Sequence, residues 1–557
     1  MTNTQIVGSV PEALLSAADT GRGIEIVDRQ LNEQYLSYDE ILTSARRFAG
    51  GLREQGVERG DRVCLLGPTT PDLVTSLFGA WVAGAVPVVL PLPRRMSELP
   101  AFVEDVTRRV DKADASLLAV SNILLEQAPT FDVSATIVSI EKLAAHTSAW
   151  AATSPVSADD LAYLQFTSGT TARSRAVPLS HRHLIANLAA AGQMAGIDPE
   201  IDVFVSWLPL FHDMGLIGML LGSVVFGTKL VLIPTEEFLG RPGCWTDSLS
   251  RHRGTITASP NFGYGLAARD LASKPRALDL KGWRIAANGA EPIDLETVQR
   301  FAEAAEPYGF DPNAMCPMFG LAEATLAVSL SRSDEPVAVE WVDREALEAS
   351  GRITPATPHA PGSRGLVACG HPIPGHEVSI RDHNGDVVSV GAVGEICVRG
   401  PSVMLGYWRD ADATAEALRD GWLHTGDLGF HGTHGLVVCG RKKDMIILGG
   451  RNLYPEDYEF HAERVPGVRK GNVIAFAIPE RERMVVVCET TAGPDDVHDV
   501  ARSTLEELRR QLPRGPEEVV MVSPGTLPKT SSGKRQRGEC REQYASGGLE
   551  PLAVARR

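Results

Sequence analysis

Apolar and polar positions follow two rhythms along the first third of the chain. Leu42, Ala45, Phe48, Ala49 and Leu52 recur at helical spacing behind Ser37-Tyr38-Asp39-Glu40, and Gly56 can end the helix they predict. Ser37 and Glu40 stand three apart, the spacing at which a hydroxyl and a carboxylate satisfy each other's orphan amides at a helix start. Arg62–Leu66 then reads as a strand, Pro71–Val82 as a helix and Val86–Leu90 as a buried strand. Lys229–Ile233, Thr255–Ser259 and Ile285–Asn288 continue the strand rhythm. Elements alternating in this way imply a layered α/β domain around a largely parallel sheet.

After about residue 365 the pattern changes. Glu377–Arg381 and Asp386–Val390 flank His383-Asn384-Gly385, an Asn-Gly hairpin signal, and Gly394–Arg399 and Gly435–Cys439 add short strands. Together they predict a small β-rich subdomain. The last ~115 residues read as a small α+β domain. It has strands at Val473–Ile478, Met484–Cys488 and Glu518–Val522, a helix over Val497–Leu512, and a Gly/Ser/Lys-rich loop. No low-complexity linker separates it, so the junction near residue 441 reads as a hinge rather than a tether.

Composition narrows the class. The 557 residues suggest about three to four compact units. Hydrophobic residues make up 43% and charged residues 22%, too apolar for disorder and too polar for a membrane bundle. A net charge of −16 argues against general affinity for nucleic acid or anionic lipid. Eight scattered cysteines without a C-x-x-C pair predict reduced, buried thiols rather than a disulfide frame or zinc site. The apolar stretches Leu216–Phe226 and Phe78–Leu92 are shorter than the ~18 residues of a spanning helix. Residues Met1 to Gln5 carry no signal-peptide pattern. No transmembrane segment is expected, and a cytoplasmic location is the default.

Four motifs carry candidate chemistry. Tyr163-Leu164-Gln165-Phe166 leads into Thr167-Ser168-Gly169-Thr170-Thr171, hydroxyls around a glycine that can cradle phosphate oxygens; an ordinary Ser/Thr-rich turn is the alternative. A helix follows from about His183, with Ser180 as N-cap. Asn288-Gly289-Ala290-Glu291-Pro292 and Met318-Phe319-Gly320-Leu321-Ala322-Glu323 come next. Glu323 beside a glycine turn can hold Mg²⁺, which takes a carboxylate plus substrate phosphates; a solvated or capping Glu is the alternative. Asp427, in Gly421-Trp422-Leu423-His424-Thr425-Gly426-Asp427, can accept both ribose hydroxyls or cap a turn. Lys534 follows Ser531-Ser532-Gly533. Between Lys529 and Glu542 five basic residues stand against two acidic ones, a local excess of three positive charges in an acidic chain. An ammonium there can neutralise phosphate charge, or the run is a solubilising basic tail.

In this joint order, the motifs resemble the adenylate-forming superfamily of acyl- and aminoacyl-activating enzymes and luciferases, from about Tyr38 to Tyr544. Ser206-Trp207-Leu208-Pro209-Leu210-Phe211-His212-Asp213-Met214-Gly215-Leu216 is similar to the S-W-L-P-x-x-H-D-M-G-L segment of fatty acyl-AMP ligases. Asn288–Pro292 and Phe319–Thr325 match the same group. Val337–Pro361 adds a segment in which Asp343 can cap a short helix, Arg344–Ser350, that Gly351 ends. It looks like the insertion of those ligases, which packs between subdomains and disfavours coenzyme A. One departure stands out: where many acyl-CoA synthetases carry T-T-G-x-P-K-G, this chain has Thr170-Thr171-Ala172-Arg173-Ser174-Arg175-Ala176, without the lysine.

The resemblance implies a fold and an activity. The fold is α/β: a large N-terminal domain, residues 1–441, of layered α/β subdomains plus a small β-rich subdomain, then a small mobile α+β C-terminal domain, residues 442–557. The activity is ATP- and Mg²⁺-dependent conversion of a fatty acid to acyl-AMP with pyrophosphate release. The acyl group then passes to the phosphopantetheine thiol of an acyl carrier protein or a polyketide or nonribosomal synthase carrier domain. By the same resemblance, Lys534 bridges carboxylate and α-phosphate, and Glu323 holds Mg²⁺. Asp427 and Arg441 hold the ribose, and Thr167 to Thr171 the β,γ-phosphates. Asn288, Gly289, Ala290, Glu291 and Pro292, with Met318, Phe319, Gly320, Leu321 and Ala322, line the nucleotide site. His212 lies near the carboxylate or is a packed, hydrogen-bonded ring. Asp444 is the hinge. A monomer or weak dimer is expected. Two alternatives remain: a medium- or long-chain acyl-CoA synthetase, and an inactive acyl- or nucleotide-binding protein.

Overall fold

The computed structural model describes residues 7–93, 99–127, 131–150, 156–167, 174–478, 483–530 and 533–557. Local chemistry sets the first helices. Tyr38–Glu54 begins at a complete capping box: Glu40 N donates to Ser37 Oγ at 3.1 Å, and Ser37 N donates to Glu40 Oε2 at 2.8 Å. Pro71–Val82 starts with proline inside a Thr70 cap. The helix after the hydroxyl loop starts at His181, with Ser180 as its cap and His183 supplying the return bond.

The elements assemble as an α/β protein. Arg62–Leu66, Val86–Val89, Ala115–Val120 and Thr136–Ser139 form a wholly parallel four-stranded sheet. A nine-stranded sheet has six parallel strands at its centre, Gly23–Val27, Lys229–Leu232, Val203–Ser206, Ile256–Ser259, Ile285–Asn288 and Met315–Gly320, with antiparallel strands on both flanks. Helices cover these sheets, so their strands read as apolar runs. Behind Val203–Ser206 lies a column of aromatic rings in which Trp207 stacks on Phe238 at 3.9 Å and edges Trp245 at 6.2 Å. Trp207 of the Ser206–Leu216 segment is therefore core, worth ~0.5–1.5 kcal/mol per ring pair beyond its buried area.

The β-rich part is a five-stranded antiparallel sheet built from Glu377–Arg381, Gly394–Arg399, Leu418–Arg419, Trp422–Gly432 and Gly435–Arg441. Here one expectation is corrected. Asp386–Val390 is not a strand, and only Val387 bridges back to Arg381. Asp382 Oδ1 accepts the amides of Asn384 and Asp386 at 2.9 and 3.0 Å, closing a side-chain turn at Gly385. Past Val388 the chain heads for the inserted segment, where Ile353 N donates to Gly391 O at 2.8 Å.

That insertion forms an antiparallel pair, Val339–Asp343 with Ser363–Val367, around the helix Arg344–Ser350. Asp343 caps the helix through Ala346 N at 2.7 Å, and Gly351 ends it at φ +65°. Residues 446–556 bury a core of their own around the sheet Val468–Ile478, Arg483–Thr490, Glu518–Val522 and Pro551–Arg556. All eight cysteines are buried and free. No helix among the described residues is long and apolar enough to cross a membrane.

Candidate active site

Glu323 sits in a short 3₁₀ turn, Ala322–Ala324, at the end of the strand Met315–Gly320. A Cβ at Gly320 would lie 1.9 Å from the Leu326 carbonyl, so only glycine lets the turn close. Asn187, reaching from the helix His181–Ala195, donates through Nδ2 to Ala324 O and Ala327 O at 3.1 and 2.9 Å and accepts Ala327 N at 3.1 Å. Thr325 Oγ1 donates to Ser402 O at 2.7 Å, and Met404 N to Glu323 O at 2.8 Å. With the main chain pinned, Tyr407 OH donates to Glu323 Oε1 at 2.8 Å. Burial, reinforced by Glu323, pushes the Tyr407 phenol up, so it stays protonated as the donor. The Arg175 guanidinium lies 5.0 Å from the Tyr407 ring centroid.

The segment Asn288–Pro292 leaves the strand Ile285–Asn288 through a tight passage. A Cβ at Gly289 would stand 2.8 Å from the Met318 side chain, and Ala290 adopts φ +69°, a left-handed backbone that costs a non-glycine residue roughly 1 kcal/mol. Asn288 is fully buried: Nδ2 donates to Asn261 Oδ1 at 3.2 Å, while its own Oδ1 has no partner. Glu291 Oε1 accepts Phe262 N at 2.7 Å, and burial raises the Glu291 carboxyl. Phe319 is buried, Met318 and Leu321 are partly covered, and Pro292 follows at the surface.

Asp427 and Arg441 face each other across neighbouring strands, with Nε to Oδ1 at 2.9 Å. The buried Asp427 carboxylate raises the Arg441 guanidinium further. Their loop hangs on Glu395, which accepts Gly426 N at 3.1 Å and has His424 Nδ1 and Lys442 Nζ each at 3.2 Å. His212 is a hydrogen-bonded, mostly buried ring, with Nδ1 2.7 Å from Asp213 Oδ1. Burial opposes the Asp213 charge, but His212 outweighs it, aided by Lys534, and holds the carboxyl below its ordinary range. Asp213 also accepts Met214 N at 2.7 Å, starting a π-helical turn, Met214–Leu221.

Lys534, from the C-terminal residues, lies in the electrostatic field of these groups. Burial and then Arg441 lower its pKa, while Asp213, Glu291 and Asp427 hold it up. One ammonium is thus in electrostatic reach of four residues from separate segments. Asp444 adds to the field on Arg441, and its Oδ2 accepts from Arg537 Nη1 at 2.9 Å. Thr167 N donates to Arg175 O at 2.8 Å; Ser168, Gly169, Thr170 and Thr171 lie outside the described residues. Among the described residues no group of three or more His, Cys, Asp and Glu side chains is arranged to hold a metal. A lone carboxylate with one oxygen set by Tyr407 suits Mg²⁺ shared with nucleotide phosphates.

Sequence reasoning passed over Tyr407, Asn187, Ser402 and Arg537. Tyr407 and Asn187 lie 84 and 137 positions from the residues they hold. No spacing rule links such pairs. Arg537 had one signal, its place in the basic run around Lys534.

Comparison with known proteins agrees with this geometry. The AMP-binding enzyme family matches residues 16–408, more than half of the chain. The medium-chain fatty-acid–[acyl-carrier-protein] ligase JamA of Moorena producens is 35% identical, covering 92% of this chain and 90% of its own. The long-chain fatty-acid–AMP ligase FadD26 of Mycobacterium marinum is 33% identical, covering 93% of each. A solved structure from a study of fatty acyl-adenylate ligases of E. coli and L. pneumophila superposes with a TM-score of 0.91 at 32% identity, covering 97% of this chain and 98% of its own. The chain belongs to the AMP-binding family of adenylate-forming enzymes and is similar over nearly its whole length to fatty acyl-AMP ligases.

Proposed function

We propose that the protein converts a fatty acid and ATP to acyl-AMP and pyrophosphate, then passes the acyl group to the phosphopantetheine thiol of an acyl carrier protein. The field that Lys534 shares with Asp213, Glu291 and Asp427, the last paired with Arg441 at 2.9 Å, carries the reading. In the first step a carboxylate oxygen bonds to the α-phosphorus and the bond to the leaving pyrophosphate breaks. Lys534 holds the two negative reactants together, and Asp427 with Arg441 orients the ribose, so the step is mainly positioning and charge compensation. Ala290-Glu291-Pro292 and Phe319 flank the base, Thr167–Thr171 take the outer phosphates, and His212, set by Asp213, borders the carboxylate. Glu323 would hold Mg²⁺, whose charge, when bound, offsets that of the triphosphate. In the second step the thiol sulfur bonds to the acyl carbon, AMP leaves and the thiol proton goes to solvent. Residues 442–557 form a lid that turns about Asp444 to withdraw Lys534 and admit the thiol, a gating motion.

A carrier protein is favoured over coenzyme A by the insertion at 337–361, whose helix docks on residues 446–556. Arg344 Nη1 lies 2.8 Å from Asp457, and Arg451 pairs with Glu345 and Glu348 at 2.6 and 3.2 Å. The similarity to JamA, named as an acyl-carrier-protein ligase, points the same way. The test is pyrophosphate release over fatty acids of increasing length, followed by thioester formation with holo-carrier protein or coenzyme A. Release with a fatty acid and acylation of the carrier, with weak acyl-CoA formation, is expected. Efficient acyl-CoA turnover would select the synthetase reading, and no release with any acid would select the inactive binding protein.

A further inference from the structure

Arg537 uses its whole guanidinium inside a buried ion cluster. Nη1 donates to Asp444 Oδ2 at 2.9 Å; Nε and Nη2 each donate to Glu459 at 2.8 Å; Nη2 also meets Glu456 Oε1 at 3.0 Å. Arg535 extends the cluster from Nη1 to Glu459 at 2.7 Å and from Nη2 to Glu463 at 2.5 Å. Glu459 also accepts Ala475 N at 3.1 Å. Two guanidiniums therefore face four carboxylates, none exposed. The imbalance shows: burial raises Glu456 and Glu463, and Glu456 Oε2 has no partner. Glu459 stays charged because Arg537 and Arg535 overcome its burial.

The cluster lies between two parts of the proposed mechanism. Asp444 is 93 positions before Arg537, whereas Lys534 is only three residues before it. The Lys534 main chain is itself tied down: its amide donates to Thr530 Oγ1 at 3.0 Å, its carbonyl accepts Thr530 N at 2.8 Å, and Arg535 bridges to Lys529. A loop fixed internally still needs an anchor to the body that carries it, and the docked pair Arg535 and Arg537 supplies one. The planar guanidinium engages three carboxylates at set angles, which a point-charge ammonium cannot reproduce.

We infer that Arg537 is a positioning residue for acyl-AMP formation: it locks hinge residue Asp444, the helix Pro455–Ala462 and the Lys534 loop into one rigid piece, so that the hinge angle sets where the ammonium arrives. This rests on the role proposed for Lys534. Without Arg537, Asp444, Glu456 and Glu459 repel one another, the hinge residue loses its tie, and Lys534 samples positions off the phosphate.

The experiment measures both half-reactions in the full-length protein for Arg537→Gln, Arg537→Lys, Lys534→Ala and the double variant Lys534→Ala/Arg537→Gln. Arg537→Gln is expected to cut kcat for fatty-acid-dependent pyrophosphate release by about thirtyfold with the ATP KM changed less than about threefold, the mark of a loss confined to the transition state. Transfer from preformed acyl-AMP should stay within about threefold of the wild type, and Arg537→Lys should fall between. The double variant should be no slower than Lys534→Ala, because the arginine acts through the lysine. Asp444→Asn removes only the hinge contact and should show the same selective loss, more weakly, should Arg537→Gln fail to fold. Equal loss of both half-reactions in step with a fall in Tm, a further multiplicative loss in the double variant, or unchanged kinetics in Arg537→Gln and Asp444→Asn would overturn the inference. Unimpaired pyrophosphate release by Lys534→Ala would instead overturn the role of Lys534 itself.

Discussion

Glu323 and Lys534, assigned to one proposed site, are fixed by different forces. Glu323 stands on a turn whose carbonyls and amides are held by Asn187, Thr325 and Met404, with a neutral phenol as its side-chain partner. Lys534 stands on a loop moored by Arg535 and Arg537 to Glu459, Glu463 and Asp444. Main-chain bonds to a packed helix give a wall that moves only if the core moves. Ion pairs are strong when dry, and their charges regain much of that energy from water once exposed. In the proposed cycle the wall keeps its place, while the ion pairs carry the loop as one piece with the residues around Asp444.

The largest expected effect breaks the contact between the inserted segment and the body that carries the Lys534 loop. Asp457 receives Arg344 and Arg364, each at 2.8 Å, with all three side chains largely buried. Asp457→Ala strands two guanidiniums and should lower unfolding stability by ~3–5 kcal/mol in denaturant titrations. A loss below ~1 kcal/mol would mean that water already reaches the pairs. Next, Lys534→Ala should slow pyrophosphate release by about 10²–10³ while sparing transfer from preformed acyl-AMP. Tyr407→Phe tests the fixed wall. It removes one hydrogen bond to a carboxylate, worth ~1.5–3 kcal/mol, and should slow pyrophosphate release by about tenfold while lowering Tm by only a few degrees.

The smallest effect is a matter of pH. In its proposed role Lys534 acts as the ammonium, and burial with Arg441 brings its pKa below the ordinary 10.5. Pyrophosphate release should therefore fall with rising pH before 10.5 is reached. Asp213→Asn removes a charge that holds the ammonium on, so this limb should move to lower pH. In Lys534→Arg, which does not titrate there, it should vanish. A limb unmoved by Asp213→Asn would show that Asp213 and the Lys534 loop are electrostatically independent.

Several of these parts can be read directly from local spacing. The Ser37–Glu40 box, the Asp343 cap and the Gly351 stop each involve residues within one or two helical turns, where backbone geometry leaves few outcomes. The Asp386–Val390 expectation failed on the same scale, because Asp382 offered the backbone a side-chain acceptor that competed with the ladder. Glu323, Asp427 and Lys534 stood out as charged residues in glycine-bounded loops, a local signal.

By itself, then, the sequence determined the order of elements, the loops that carry charge and the resemblance that their order makes, because each depends on residues near one another along the chain. It took the tertiary structure to show that Tyr407 bonds Glu323, that Asp213 and Glu291 share the field of Lys534, and that Arg537 pairs with Asp444. Those pairings lie far apart in the chain, and it is the packing of sheets and helices that removes water and brings the charges within range.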